Sequence, residues 1–288
     1  MTETNARPIL TLSCPDQFGI VAAVAGYLAA AGCNIEHSAQ HHDKETGLFF
    51  MRVEFARPDS APSQLDTVRA GFAAVAARFE MDWAIRDAAQ PVRALILASR
   101  ADHCLIDLLH RTKRGEVNLE ICAVGANHPQ FETLAGQYGV PFYYLPVSNE
   151  TRDEQERAIR ALIEDKDIEL VILARYMQVL SDDFCSAYPG RVINIHHSFL
   201  PSFKGAKPYH QAFARGVKLI GATAHFVTPD LDEGPIIEQE VERVDHAMTP
   251  EDFVRIGRDV ERRTLAQAVR WYCERRAMLN GQKTVIFR

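Results

Sequence analysis

Three polar side chains, Asn194, His196 and Asp232, are the residues of this chain best suited to chemistry. A carboxamide, an imidazole and a carboxylate can together hydrolyse or transfer an activated acyl group without a nucleophilic serine or a metal. The carboxamide donates a hydrogen bond to a developing oxyanion, the imidazole donates or carries a proton, and the carboxylate orients the imidazole or takes a proton from the attacking group. The three residue types therefore predict an acyl-transfer or hydrolytic site.

The first two of these residues lie in an apolar segment that predicts a short strand, residues 191–196. Asn194 and His196 are two positions apart, so both project from the same side of the strand. Pro201 and Gly205 then force a loop at the carboxyl end of the strand, where open α/β sheets bind their ligands. Taken alone, the pair favours the interpretation that both are structural residues holding this loop.

The third residue, Asp232, lies in a second loop with strand patterns on both sides, which favours the catalytic reading of the pair. Asp230 shares a side with Asp232 if this loop is extended. Because aspartate and glycine are common turn formers, a structural and a catalytic role for Asp230 stay evenly balanced.

Composition narrows the functional classes. The chain has 288 residues, a net charge of −6 and no long run of basic residues, which argues against a nucleic-acid partner. The amino terminus lacks the basic and apolar regions of a signal peptide, and no segment approaches the length of a membrane span. Six scattered cysteines without a C-x-x-C pair predict reduced thiols, so we expect a cytoplasmic protein that does not associate with membranes.

Residues 7–87 predict the element order βαββαβ of ferredoxin-like folds. Asp16-Gln-Phe-Gly19-Ile, followed after a helix by Gly-Cys-Asn34-Ile, resembles the D-x-x-G-I…G-x-N-I pattern of ACT domains. The resemblance implies an amino-acid effector bound near Asp16, Gly19 and Asn34, and a homodimer or homotetramer formed by pairing of such domains. The alternative is a domain that only dimerises the chain.

Residues 88–91 predict a linker, and residues 92–288 predict a second domain in which continuous apolar strands alternate with helices. That alternation is typical of a mostly parallel, Rossmann-like sheet covered by helices on both faces. The predicted fold class is therefore α/β, with a small ferredoxin-like domain followed by this larger one. A single long helix is expected over residues 250–278.

The two motifs of the second domain, NIHHSFLPSFKG at residues 194–205 and HFVTPDLDEG at residues 225–234, resemble the catalytic signature of the folate-dependent formyltransferases. The resemblance implies that Asn194, His196 and Asp232 are the catalytic residues. It further implies a set of substrate-binding residues, namely Met177, Val179 and Leu180 of a loop that encloses the pterin ring, together with Ser198 and Asp230.

One departure from the transferases that act on glycinamide ribonucleotide indicates a different acceptor. Those enzymes have a glycine-rich phosphate-binding loop after the first strand, whereas residues 99–104 here read SRADHC. They also usually have proline where this chain has His197. The combination with an ACT-like domain resembles the formyltetrahydrofolate deformylases, which implies hydrolysis of 10-formyltetrahydrofolate to formate and tetrahydrofolate, without a cofactor, in support of purine synthesis and one-carbon balance.

Two other functions stay open at the level of sequence: formyl transfer to an unphosphorylated amine, and an amino-acid-sensing protein that binds folate without turnover. We expect no metal, because His41 and His42 are adjacent and point to opposite faces of a strand. The roles of Lys207 and His103 are left open.

Overall fold

The computed structural model describes residues 7–56, 62–148, 150–199 and 208–288. The chain forms two compact units. The first contains the chain up to Pro91 together with Glu274–Met278 and Val285–Arg288, and the second contains Val92–Cys273 and Leu279–Thr284. The sequence-based boundaries differ from this division at the carboxyl end, because they placed residues 92–288 in one domain. Among the described residues, no helix has the length and apolar character needed to cross a membrane.

The first unit is built on a four-stranded sheet with two helices. Its elements are β1 (Pro8–Pro15), α1 (Ile20–Ala30), β2 (Asn34–Asp43), β3 (Leu48–Ala56), α2 (Pro62–Arg78) and β4 (Asp82–Asp87). The strands lie in the order β2-β3-β1-β4 and every neighbouring pair is antiparallel. The predicted ferredoxin-like arrangement is confirmed.

Helix α1 shows how local sequence produces this unit. Gly19 precedes the helix with φ of 90°, a conformation that glycine adopts at little cost. Ile20, Val24 and Leu28 follow at intervals of four, so they share one face and are buried in the core. Burying side chains of this size contributes roughly 1.5–3 kcal/mol each relative to exposure.

The second unit is a seven-stranded sheet covered by helices. Its elements are β5 (Val92–Ala98), α3 (His103–Lys113), β6 (Leu119–Ala126), α4 (Glu132–Gln137), β7 (Phe142–Tyr144), α5 (Arg152–Asp165), β8 (Leu170–Ala174), α6 (Asp182–Ala187), β9 (Val192–His196), α7 (Pro208–Arg215), β10 (Leu219–Phe226), β11 (Ile236–Arg243) and α8 (Pro250–Cys273). The order is β11-β10-β9-β8-β5-β6-β7. Strands β5 to β9 pair in parallel, whereas β10 is antiparallel to both of its neighbours. The mostly parallel sheet is confirmed.

The helices cover this sheet through apolar cores. Ile159 of α5 and Phe184 of α6 are fully buried against the apolar side chains of β5 and β8. Helix α8 lies on strands β9, β10 and β11 and also contacts α3 and α7. Because both faces are covered, the central strands are apolar throughout, as the sequence pattern indicated.

Two elements differ from the sequence-based expectation. Helix α8 ends at Cys273 and not at Met278, because Arg275 adopts a left-handed conformation with φ of 55°. The residues beyond it form strand β12 (Ala277–Asn280), which pairs with β13 (Lys283–Ile286). Helix α6 was missed in the sequence although its start is marked by Ser181, whose hydroxyl accepts a hydrogen bond from the Phe184 amide.

Candidate active site

The site is built on the antiparallel pair β9 and β10. Asn194 lies directly opposite His225, and His196 lies directly opposite Thr223. Side chains of directly opposite residues on one face of a sheet are neighbours, so this register brings the Asn194 carboxamide and the His225 imidazole together. Sequence reasoning gave His225 no role in catalysis. The pairing of the two strands was the missing information.

Asp232 reaches these residues from the loop between β10 and β11. The loop is a turn and not an extended segment: the Glu233 amide donates to the Asp230 carbonyl, and Asp232 itself has φ of 57°. Aspartate tolerates this left-handed conformation better than most residues. Gly234 then passes so close to β10 that an added Cβ would lie 1.8 Å from the Phe226 oxygen. The backbone geometry at these two positions fixes where the carboxylate points.

The Asp232 carboxylate lies between two imidazoles. Its Oδ1 is 3.2 Å from His196 Nδ1 and 3.7 Å from His225 Nε2. His225 Nδ1 lies 2.8 Å from the Phe226 carbonyl, which can only accept, so Nδ1 carries a proton. In the neutral ring Nε2 is then an acceptor for the Asn194 Nδ2 group at 3.2 Å. The four polar side chains therefore form one continuous network.

These contacts set the charge of the site. The hydrogen bond from His196 and the adjacent His225 imidazole hold the pKa of Asp232 well below its usual range, although burial acts in the opposite direction. The carboxylate is thus ionised at every physiological pH. His196 Nε2 is buried without a hydrogen-bond partner within the described part of the chain, while Nδ1 on the same ring faces Asp232. An unpaired ring nitrogen at this position is available for a substrate atom.

A cavity of about 640 Å³ opens onto this network. Asn194, His196 and Asp232 line it, so the structure brings the three predicted catalytic residues together. Asp230 also lines it from an exposed position. The volume is in the range of sites that bind drug-sized ligands.

The loop after β8 forms one wall of the cavity. Met177, Val179 and Leu180 all line it, with Met177 and Val179 largely exposed and Leu180 buried in the core beneath. The Met177 amide already donates to the Ser99 hydroxyl, and the Val179 carbonyl accepts from Arg152. The expected apolar wall is therefore present, whereas the Met177 amide has a protein partner.

Ser198 does not belong to the cavity lining. The chain bends after β9, and the Ser198 side chain is buried while its carbonyl accepts from Thr223. Ser198 is therefore buried outside the cavity lining, and its contact with substrate stays a prediction. Pro201, Gly205 and Lys207 lie outside the described residues.

Arg175, His197 and Gln282 line the cavity although sequence reasoning gave none of them a role in the site. Arg175 has φ of 61°, which is a costly conformation for a long side chain and is typical of functional positions. His197 was noted in the sequence only as a departure from proline. Gln282 lies near the end of the chain, far in sequence from both motifs, so no local pattern identified it.

A cluster of buried polar groups lies behind this wall, centred on Glu261 of α8, which is 1% exposed. Its carboxylate accepts from Tyr209 at 2.6 Å and pairs with His103 at 2.7 Å and with Arg175 at 3.3 Å. Burial alone would raise the pKa of Glu261, but the His103 hydrogen bond and the Arg175 charge outweigh it and lower that pKa. Glu261 is therefore ionised and binds all three of these side chains.

His103, Cys104 and Glu261 are the group of the described residues whose donor atoms could hold a metal, since these atoms lie within 4.8 Å of one another. Burial raises the pKa of the Cys104 thiol well above its usual value, and Arg175 places a cation beside the carboxylate. A neutral thiol and a neighbouring guanidinium both oppose cation binding. The cluster fits a hydrogen-bond network better than a metal centre.

The predicted effector residues are only partly together. Asp16 and Gly19 line a shallow cleft at the start of α1, and Asp16 pairs with His42 at 3.6 Å in an exposed position. Asn34, at the start of β2, does not line this cleft. Two of the three residues thus share a surface that a small molecule could contact.

Comparison with known proteins agrees with both units. The ACT domain family matches residues 9–63 and the formyl transferase family matches residues 92–269. A formyltetrahydrofolate deformylase of a Corynebacterium species is 51% identical, over 99% of both chains, and that of Bacillus subtilis is 46% identical over 96% of this chain and 93% of its own. The chain belongs to the formyltetrahydrofolate deformylase family.

The family is also represented among solved structures. The crystal structure of formyltetrahydrofolate deformylase from Burkholderia mallei superposes with a TM-score of 0.94 and 52% identity, covering 98% of this chain and all of that one. Both the sequence and the fold of the chain therefore match this family over nearly its full length.

Proposed function

We propose that this chain hydrolyses 10-formyltetrahydrofolate to formate and tetrahydrofolate. The observation that carries the proposal is the position of Asp232, ionised between two imidazoles and beside the Asn194 carboxamide, at one cavity. The relatives that match the chain over nearly its full length are named formyltetrahydrofolate deformylase. The same cavity has an apolar wall suited to a flat ring system.

The geometry supports a direct mechanism. Both imidazole contacts of Asp232 use Oδ1, which leaves Oδ2 to accept a proton from a water molecule as that water attacks the formyl carbon. Asn194 and the protonated His196, through its unpaired Nε2, donate hydrogen bonds to the oxyanion of the tetrahedral intermediate. The bond from carbon to N10 then breaks, and N10 takes up the proton that Asp232 accepted from the water.

Water is the proposed acceptor because the chain has no glycine in residues 99–104, where phosphate-binding loops need close backbone approach. An amine acceptor would compete with water for the position beside Asp232.

The test is formate release from 10-formyltetrahydrofolate in metal-chelated buffer without an added amine. The proposal requires formate and tetrahydrofolate in a one-to-one ratio. If tetrahydrofolate forms only when an amine is added, and the formyl group is found on that amine, the activity is formyl transfer and not hydrolysis. Tight folate binding with no product under any condition would replace it by a regulatory protein.

The first unit extends the proposal to regulation. The ACT match and the cleft at Asp16 and Gly19 support binding of an amino acid that reports on one-carbon flux. Pairing of two such units into a homodimer or homotetramer, a cytoplasmic location and a supply of formate to purine synthesis are parts of the same proposal. Light scattering of the purified chain, and formate-dependent growth of a deletion strain, test them.

A further inference from the structure

The loop after β8 and the end of β9 are joined by a contact that the hydrolytic mechanism does not use. Nη1 of Arg175 contacts Nδ1 of His197, and the His197 ring stacks on His196 with ring centroids 5.0 Å apart and planes 19° apart. Arg175 therefore touches the neighbour of a residue that the mechanism places on the reacting atoms.

The direction of this contact fixes the state of His197. A guanidinium can only donate and does not lose its proton in proteins, so His197 Nδ1 must be the acceptor. The ring is then neutral with its proton on Nε2. Burial and the adjacent Arg175 charge lower the pKa of His197 to about 4, in agreement with this geometry.

The positive charge of Arg175 is balanced by the Glu261 carboxylate. Glu261, ionised and almost completely buried, lies 3.3 Å from Arg175 Nε and is held by His103 and Tyr209. Without this carboxylate, Arg175 would place an uncompensated cation near His196, which the mechanism needs in its protonated form. The left-handed backbone at Arg175 shows that the position is maintained despite local strain.

We propose that Arg175, balanced by Glu261, is a positioning residue for the hydrolysis: it holds His197 as a neutral ring stacked on His196 and so fixes the His196 imidazole between Asp232 and the substrate. Asp232 holds the same ring from its Nδ1 edge. Two constraints, one in the ring plane and one across its face, leave Nε2 directed at the reacting group. This inference rests on the proposed function, because it assigns a purpose to the orientation of His196.

The variant that tests it is Arg175→Met, which removes the charge and the donor and keeps the unbranched stem. Its matched control is Arg93→Met. Arg93 lies on strand β5 and is also a half-buried arginine. It donates to the Lys166 carbonyl and pairs with the Glu120 carboxylate. Arg175→Met should lower kcat about ten- to hundredfold with KM changed less than about threefold, because a displaced catalytic group loses orientation. Arg93→Met should keep wild-type kcat.

A pH series separates positioning from a general structural effect. The charged or titratable groups that act on His197 are Arg175, His196, Glu261 and Asp232. Loss of Arg175 should let His197 take up a proton at a pH about one unit higher. The acidic limb of the kcat profile should move up accordingly, and the added substitution His197→Asn should abolish that movement.

Nitrogen-15 NMR of histidine-labelled protein gives a readout that does not depend on turnover. In the wild type the His197 ring should remain neutral down to about pH 5, and in Arg175→Met its titration should move upward by about one unit. An unchanged titration in the variant would overturn the contact. If the titration moves but kcat does not fall, the positioning role is overturned. If the wild type releases no formate while the titration still moves, the proposed hydrolysis fails together with this role, and only the contact stands.

Discussion

The cavity of the second unit and the cleft of the first unit contain similar polar side chains, but they hold them differently. Around the cavity, Asp232 receives two imidazoles and is 28% exposed. At the cleft, Asp16 has one histidine partner at 3.6 Å, and the side chains of the pair are 37% and 42% exposed. A carboxylate held by several partners in a partly dry site can stabilise developing charge, whereas an exposed pair contributes little.

The largest expected effect is that of Asp232→Asn. Asparagine also tolerates the left-handed backbone, so the protein should fold while it loses the ionised group that orients His196. We expect turnover to fall at least about a thousandfold. Formate release and circular dichroism measure the two properties, with Asp230→Asn on the same loop as control and a loss below about tenfold expected there. A folded Asp232→Asn protein with normal turnover would show that the ionised carboxylate at the cavity is not needed for catalysis.

Asn194→Ala should have the next largest effect. It removes one oxyanion donor, which contributes about 3 kcal/mol in comparable sites, so kcat should fall roughly a hundredfold. Single-turnover formate release separates this loss from weaker binding. If only KM rises, Asn194 binds the substrate and does not stabilise the transition state.

The pH dependence of stability should be smaller but distinctive. The pKa of His197 is lowered to about 4, so the folded state disfavours the charged ring. The unfolded chain takes up this proton near pH 6.5, and stability should therefore be lost as the pH falls from about 6.5 to about 4, by at most about 2–3 kcal/mol. Urea unfolding of the wild type and of His197→Asn at pH 7.5 and pH 5 measures it. Parallel losses in the two proteins would contradict the assignment.

The smallest effect is expected in the first unit. Asp16→Asn breaks an exposed ion pair and should change the free energy of unfolding by less than about 1 kcal/mol. If an amino acid binds at the cleft, it should raise the melting temperature of the wild type but not that of Asp16→Asn. Melting temperatures of both proteins with a panel of amino acids measure this. If no amino acid raises the melting temperature of the wild type, dimerisation is the only role left for the first unit.

The sequence predicted the parts of the molecule that depend on local pattern. Strand β5 has the predicted bounds, and the βαββαβ order of the first unit follows from alternating apolar residues and turn formers. Asn194, His196 and Asp232, which the structure brings together at one cavity, were selected because they lie in short motifs whose residue types indicate their chemistry.

What the sequence did not predict depends on tertiary contacts. His225 joins the site through its register opposite Asn194, and register is set by packing and not by local pattern. Arg175 and Glu261 are 86 positions apart, and nothing in either segment indicates that they pair. Ser198 was assigned to the site by its motif, whereas in the structure it is buried and does not line the cavity.

Because the carboxyl terminus is divided between the two units, the protein cannot be separated into its two units at a single position. Val285 and Phe287 complete a small core of the first unit with Phe50, while Gln282 belongs to the cavity wall of the second. A cut at residue 91 would therefore deprive the amino-terminal fragment of part of its interior. The last fifteen residues are accordingly a poor place for truncation or for a tightly fused tag, and neither unit can be exchanged between relatives as one uninterrupted stretch of coding sequence.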